Sequence, residues 1–262
     1  MTTFGVLGAK GGCGTSLVAS NLCVALSWER VCLLVDLNAV RGCDDLLLDL
    51  EPQRTWADLL PVAGELTRAH LGKVLSPYRS RAGLLAAPPS PVEVESYSRI
   101  GELIGSLGRF SPWVILDLPS GDPAMCHAVI THCDRLLLVS TADVPALRAC
   151  RRLLVALPTE RPSETALVLN QIGAGHPIQP KALASSLGLP IVGALPRDMR
   201  GVGNQVAFGH PAVLDRQSPF GWEARALAER LVRSSREGAR GRAGTRLVQP
   251  GGGQGEHREE VG

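Results

Sequence analysis

The chain has 262 residues, 45% hydrophobic and 20% charged, with a formal net charge of +2. That composition supports one substantial α/β core, and the charge is too small to mark a nucleic-acid or anionic-membrane binder by itself. The seven cysteines include no C-x-x-C pair and the histidines show no metal spacing, which excludes a disulfide framework or zinc ribbon and fits a reducing, cytoplasmic compartment.

From the N-terminus, Met1–Gly12 carries no basic n-region ahead of a long apolar stretch, so no signal peptide is expected. No apolar run reaches the length of a membrane span. Apolar runs predict strands at Thr3–Leu7, Val31–Asp36, Gly83–Ala87, Trp113–Asp117, Arg135–Ser140, Thr165–Asn170 and Pro190–Leu195. Amphipathic helices are predicted at Ser16–Trp28, Val92–Leu107, Val144–Leu157 and Lys181–Leu187. Strands without period-2 alternation, separated by helices, imply a mostly parallel sheet with helices on both faces. A final helix is predicted at Trp222–Val232, docking through a stripe of Trp222, Ala226, Leu227, Leu231 and Val232. From Ser234 to Gly262 the chain is rich in Gly, Arg and Glu, and a disordered tail is expected after a nucleotide-binding domain of residues 1–233.

The first strand runs into Gly8-Ala-Lys-Gly-Gly-Cys-Gly-Thr-Ser16, and a helix follows. Glycines at 11, 12 and 14 permit positive φ and close approach of a ligand to the backbone. Successive N–H groups and the positive end of the helix dipole then make an anion site, and Ser16 stands where a P-loop hydroxyl meets Mg²⁺. A dinucleotide fold is the rival reading, with Gly12-Cys-Gly14 opening G-x-G-x-x-G and Asp36 as ribose acid. Its third glycine is Leu17, however, and it leaves Lys10 and Ser16 without a role. Trp113–Asp117 is an apolar strand ending in a carboxylate, the arrangement that holds Mg²⁺ in P-loop proteins. The following Leu118–Pro123 reads as a mobile loop able to sense a γ-phosphate. Only Lys10, Lys73 and Lys181 are lysine among the 27 basic residues, so a lysine inside this loop is informative; a compact ammonium suits a crowded phosphate pocket.

On these residues the chain resembles the MinD/ParA family of deviant Walker-type P-loop proteins. The resemblance spans Thr3 to Arg233 and includes Lys10–Ser16, Val35-Asp-Leu-Asn38, Asp117–Gly121, Asn170-Gln171, Leu195-Pro-Arg-Asp198 and Gly209-His-Pro211. The stretches Gly42–Pro52 and Thr55–Leu59 look most like the CpaE/TadZ branch, which localises or assembles pilus and secretion machines. The resemblance implies ATP and Mg²⁺ as cofactors. It implies Lys10, Asp36 and Asp117 as the residues acting on the phosphates, with Ser16 and Asp117 toward the metal. Gly11, Gly12, Cys13, Gly14, Thr15, Ser16, Asn170, Pro196 and Asp198 would hold the nucleotide. It further implies an ATP-dependent homodimer in which Lys10 reaches the facing subunit's nucleotide, and a protein partner in a pilus, secretion or cell-division machine.

Two departures bear on turnover: Thr15 stands for the family's second lysine and Asn38 for its switch aspartate. An ATP-binding switch with weak or no hydrolysis is therefore expected, against the alternative of an active ParA/MinD-type ATPase for DNA segregation or division-site placement. Arg148, Arg151, Arg152 and the arginines of the tail are read as solvated charges rather than a nucleic-acid surface. The tail has no apolar face for stable membrane insertion, which leaves peripheral attachment through a partner. Cys126 follows the second switch, as a cluster cysteine does in nitrogenase iron protein; without a matching second cysteine it is read as a small buried apolar residue.

Overall fold

The computed structural model describes residues 1–79, 81–173 and 178–245. Eight strands form one sheet: β1 (Thr2–Gly8), β2 (Cys32–Asp36), β3 (Ser76–Tyr78), β4 (Ala82–Leu85), β5 (Trp113–Leu118), β6 (Arg135–Ser140), β7 (Glu164–Ile172) and β8 (Ile191–Pro196). The order across the sheet is β3-β4-β2-β5-β1-β6-β7-β8. Every pairing is parallel except β3 with β4. The predicted fold class is the observed one.

Both faces of the central strands are buried, so successive residues feed two separate cores. Phe4 and Val6 of β1, Leu34 of β2 and Ile115 of β5 pack on one side with α1 (Thr15–Leu26) and the last helix. Leu33, Val35, Val114 and Leu116 pack on the other with Trp56, Ile100 and Ile104. This two-sided burial is why these strands lack alternation in the sequence.

The helices are α1, α2 (Asp44–Leu47), α3 (Arg68–Val74), α4 (Tyr97–Leu107), α5 (Pro123–Ile130), α6 (Val144–Ala156), α7 (Pro180–Leu187), α8 (Gly201–Phe208) and α9 (Pro219–Thr245). Three differences from the sequence reading have physical causes. β3 is a three-residue antiparallel edge strand containing Pro77, which has no N–H to donate to a ladder. α9 starts earlier than predicted and continues past Ser234 to Thr245, so the stretch just after Arg233 is helical; residues 246–262 lie outside the described residues. Trp222 is 54% exposed, and the helix docks instead through Phe220, Ala224, Leu227, Ala228, Leu231 and Val232.

The connection from β1 leads to β2 on one side, whereas β5 connects across β1 to β6 on the other. The carboxyl ends of β1, β2 and β5 therefore meet where the winding direction changes, the place in open α/β sheets where ligands bind.

Candidate functional site

Parallel register sets the centre of the site before any side chain is considered. Asp36 of β2 and Asp117 of β5 are direct register partners, and Val6 of β1 pairs with Asp117 from the other side. The loop leaving β1 therefore passes over both carboxylates.

In that loop Gly12 (φ 75°) and Gly14 (φ 89°) are left-handed. Gly14 is doubly constrained, since a Cβ there would lie 2.3 Å from Asn170 Nδ2. The Asn170 amide donates to the Cys13 carbonyl at 2.8 Å, and Gln171 Nε2 donates to the Gly12 carbonyl at 3.3 Å. The end of β7 thus grips the loop by its carbonyls and turns its N–H groups outward. Among the described residues, the N–H groups of Gly11, Gly12, Gly14, Thr15 and Ser16 have no hydrogen-bond partner. With the N-terminus of α1 behind them, they form an anion cradle. Cys13 is fully buried, so it offers the cradle its backbone only.

Ser16 Oγ donates to Asp117 Oδ2 at 2.6 Å. Asn38 Nδ2 donates to the same oxygen at 2.9 Å and to Asp36 Oδ1 at 3.2 Å, so the amide bridges the two acids. Asp36 also accepts the N–H groups of Asn38, Cys43 and Asp44. That approach requires glycine at 42, where a Cβ would sit 2.6 Å from Asp36 Oδ2. The Trp56 indole donates to the Asp36 carbonyl at 2.7 Å and pins the segment after α2 to the end of β2.

Burial raises the pKa of Asp36 despite these donors. Asp117 is raised by burial and by the charge of Asp36, against the bonds from Ser16 and Asn38. The Cys43 thiol is pushed up by burial, partly offset by Ser16.

Lys10 Nζ lies 3.1 Å from Asp143 Oδ2 of its own chain. Thr15 lines the cleft with Lys10, Gly11, Gly12, Gly14, Ser16, Asn38 and Asp117, in a volume of about 420 Å³. Past Leu17 a second hollow of about 200 Å³ is lined by Asn170, Pro196, Asp198 and Phe220. The Asp198 carboxylate is already engaged: it accepts from Ser218 Oγ at 2.5 Å and from the N–H of Gly201 at 2.7 Å. Burial pushes its pKa up, but these bonds, led by Ser218, outweigh that and leave it lowered.

Of the sequence-derived candidates, Lys10, Gly11, Gly12, Gly14, Thr15, Ser16 and Asp117 line the cleft, Asn170, Pro196 and Asp198 line the second hollow, and Asp36 and Cys13 are buried beneath and line neither. The structure adds Asp143, which carries no local motif, and Gln171, Cys43 and Asp44, which lie within the quoted stretches but have no role at the site in the sequence reading. Cys126 is buried, its thiol donating to the Pro119 carbonyl at 3.1 Å and raised to about 12 by burial. The residues present fit a polyphosphate with a divalent cation: the cradle supplies unpaired donors, and Asp117 Oδ1 is buried without any donor.

A parallel sheet wound on both sides of β1, a glycine cradle opening α1, and a serine on the acid that ends β5 define a P-loop NTPase fold of the MinD/ParA type. A family model described as cellulose biosynthesis protein BcsQ matches residues 1–185, and the chain belongs to that family. It is 23% identical over 204 residues to the septum site-determining protein MinD of Synechocystis, covering 74% of this chain and 76% of that one. The solved structure of a ParA family ATPase from Chlorobium tepidum matches with a TM-score of 0.79 at 24% identity, covering 87% of this chain and 98% of the other. MinD from Pyrococcus horikoshii complexed with Mg-ADP matches with a TM-score of 0.72 at 22% identity, covering 88% and 95%.

Proposed function

We propose that this protein is a nucleotide-dependent dimerisation switch that binds Mg²⁺-ATP and hydrolyses it slowly or not at all. The observation that carries the reading is the pairing of a complete phosphate cradle with an incomplete charge set. Among the described residues the N–H groups of Gly11, Gly12, Gly14, Thr15 and Ser16 have no partner, and these five residues line the cleft. The two side chains expected to supply charge are Thr15 and Asn38. Phosphoryl transfer depends on preorganised positive charge and on a positioned water, so both losses reduce turnover more than binding. Mg-ADP in the Pyrococcus horikoshii relative supports the ligand class.

In this reading the cradle binds the phosphates, Ser16 and Asp117 hold the cation, and the hollow between Leu17, Asn170, Pro196 and Phe220 takes the base. Bound Mg²⁺ supplies charge neutralisation of the phosphate oxygens. Asn38 donates to the acids and has no carboxylate with which to orient a water. Lys10 leaves Asp143 to reach the nucleotide of a second copy.

The switch localises or assembles a protein machine from the cytoplasmic side, held at the membrane through a partner. The family description points to cellulose biosynthesis. The segments Gly42–Pro52 and Thr55–Leu59 support a pilus or secretion machine. Among the described residues no helix is long and apolar enough to cross a membrane.

Calorimetry with ATP and ADP in Mg²⁺, beside a phosphate-release assay, tests the reading. Binding of both nucleotides with turnover near background is expected. Absence of heat at millimolar ATP would remove the binding claim. Fast turnover abolished by Ser16→Ala would favour an active ATPase of the segregation or division-site type.

A further inference from the structure

Asp44 opens the four-residue α2 and has no exposed surface. Among the described residues neither of its carboxylate oxygens has a hydrogen-bond partner, and Asp117 Oδ1 is in the same condition. Asp36, Asp44 and Asp117 each place an oxygen within 4.8 Å of the others. Three acids converge, and three of their buried oxygens face no donor.

No basic side chain of the described residues is ion-paired with them; Lys10, the cation of the loop, is held by Asp143. Asn38 donates to Asp36 and Asp117 but not to Asp44. Removing carboxylates from water without a compensating charge is costly, and a partner that neutralises several at once offsets the penalty. The donor set is all oxygen and anionic, the chemistry of a hard divalent cation such as Mg²⁺ or Mn²⁺. The Ser16 hydroxyl stands at the edge of the set, 2.6 Å from Asp117 Oδ2. Asp117, Asn38 and Cys43 line the phosphate cleft and give an ion its route inward.

We infer that Asp36, Asp44 and Asp117 form a divalent-cation site that fills without nucleotide, with Asp44 supplying its third carboxylate. The site shares Asp117 with the Mg²⁺-nucleotide reading and extends it, but it does not require that ATP bind. In the nucleotide-free protein the cation holds the ends of β2 and β5 to α2. The phosphate cleft is then charged with metal before ATP arrives.

The test is a Mn²⁺ titration of the full chain, freed of nucleotide, followed by electron paramagnetic resonance. One Mn²⁺ per chain is expected, competed by Mg²⁺. Asp44→Asn is expected to weaken binding at least tenfold. Thermal melts give an independent readout: Mn²⁺ raises the wild-type midpoint and leaves that of Asp44→Asn unchanged. Circular dichroism checks that Asp44→Asn folds, and Asp44→Ser repeats the comparison with a smaller side chain. Failure of the nucleotide-free wild type to bind Mn²⁺, or equal binding by both variants and wild type, would overturn the site. ATP titrations in chelator read the loop alone. Lost ATP binding with intact Mn²⁺ binding would remove the nucleotide reading and leave the cation site standing. Intact ATP binding with no Mn²⁺ binding would do the reverse.

Discussion

Lys10 and Asp143, 133 residues apart in the chain, form an ion pair at 3.1 Å, and Asp143 is at the same time the N-cap of α6. Its Oδ1 accepts the N–H of Ala146 at 2.8 Å, and Thr141 Oγ1 donates to its Oδ2 at 2.5 Å. The phosphate loop and α6 are therefore joined through one carboxylate, whose capping bond to Ala146 is independent of Lys10.

The cap dominates the stability of this junction. Asp143→Ala is expected to cost about 1 kcal/mol, the usual loss for a capping oxygen. Asp143→Asn keeps an acceptor and should cost less, since half-exposed ion pairs contribute little. Burial pushes Asp143 up, but its bonds to Thr141, Ala146 and Lys10 leave its pKa lowered. Its contribution is thus present above the ordinary carboxylate pKa and lost as pH falls through the depressed value. Urea melts of the three proteins at neutral and acid pH check both statements.

The three buried acids behave in the opposite sense. Burial raises Asp36, Asp44 and Asp117, and mutual charge adds to it for Asp44 and Asp117. In chelator the folded state then holds protons that the unfolded state has released. Their contribution is most favourable below the ordinary carboxylate pKa and is lost as pH rises through the raised values. Wild-type stability in chelator should therefore fall as pH rises above the ordinary carboxylate pKa of about 3.9, and Asp44→Asn, with one raised acid fewer, should show a shallower slope. Parallel pH profiles for the two proteins would contradict this.

Much of this site is legible in the sequence, for local reasons. Glycine spacing, a following helix and an apolar strand ending in Asp117 are short-range patterns, and β1, β2 and β5 are buried on both faces. The Asp122-Pro123 pair caps and opens α5, a local helix signal at the end of the segment read as a mobile loop. Other features depend on tertiary register. Asp44 reaches Asp117 only because β2 pairs with β5, and no spacing joins Lys10 to Asp143. α2 has four residues and β3 three, too short to show a period.

Asn38→Asp replaces the amide that bridges Asp36 and Asp117 with a fourth carboxylate. In chelator it should destabilise the fold by about 2 kcal/mol, the scale of a lost buried hydrogen bond to a charged group. Divalent cation should restore most of that loss. Melts with and without Mg²⁺ check it; no change in chelator would show that the amide bridge is not stabilising.

Thr15 sits at the first position of α1 and lines the cleft, with its hydroxyl 3.5 Å from the buried Cys13 Sγ. A lysine there adds a charge-assisted contact to the phosphates worth about 1.5–3 kcal/mol. Thr15→Lys should therefore tighten ATP binding roughly ten- to 150-fold by calorimetry. Unchanged affinity would mean that the phosphates lie elsewhere than on this loop.

Nucleotide-controlled self-association through Lys10, as proposed above, is checked by light scattering of the full chain with Mg²⁺ and either ATP or ADP. A dimer with ATP, a monomer with ADP, and a Lys10→Ala protein that is monomeric with both are the predicted results. A mass independent of nucleotide, or a Lys10→Ala protein that still dimerises with ATP, would contradict the account.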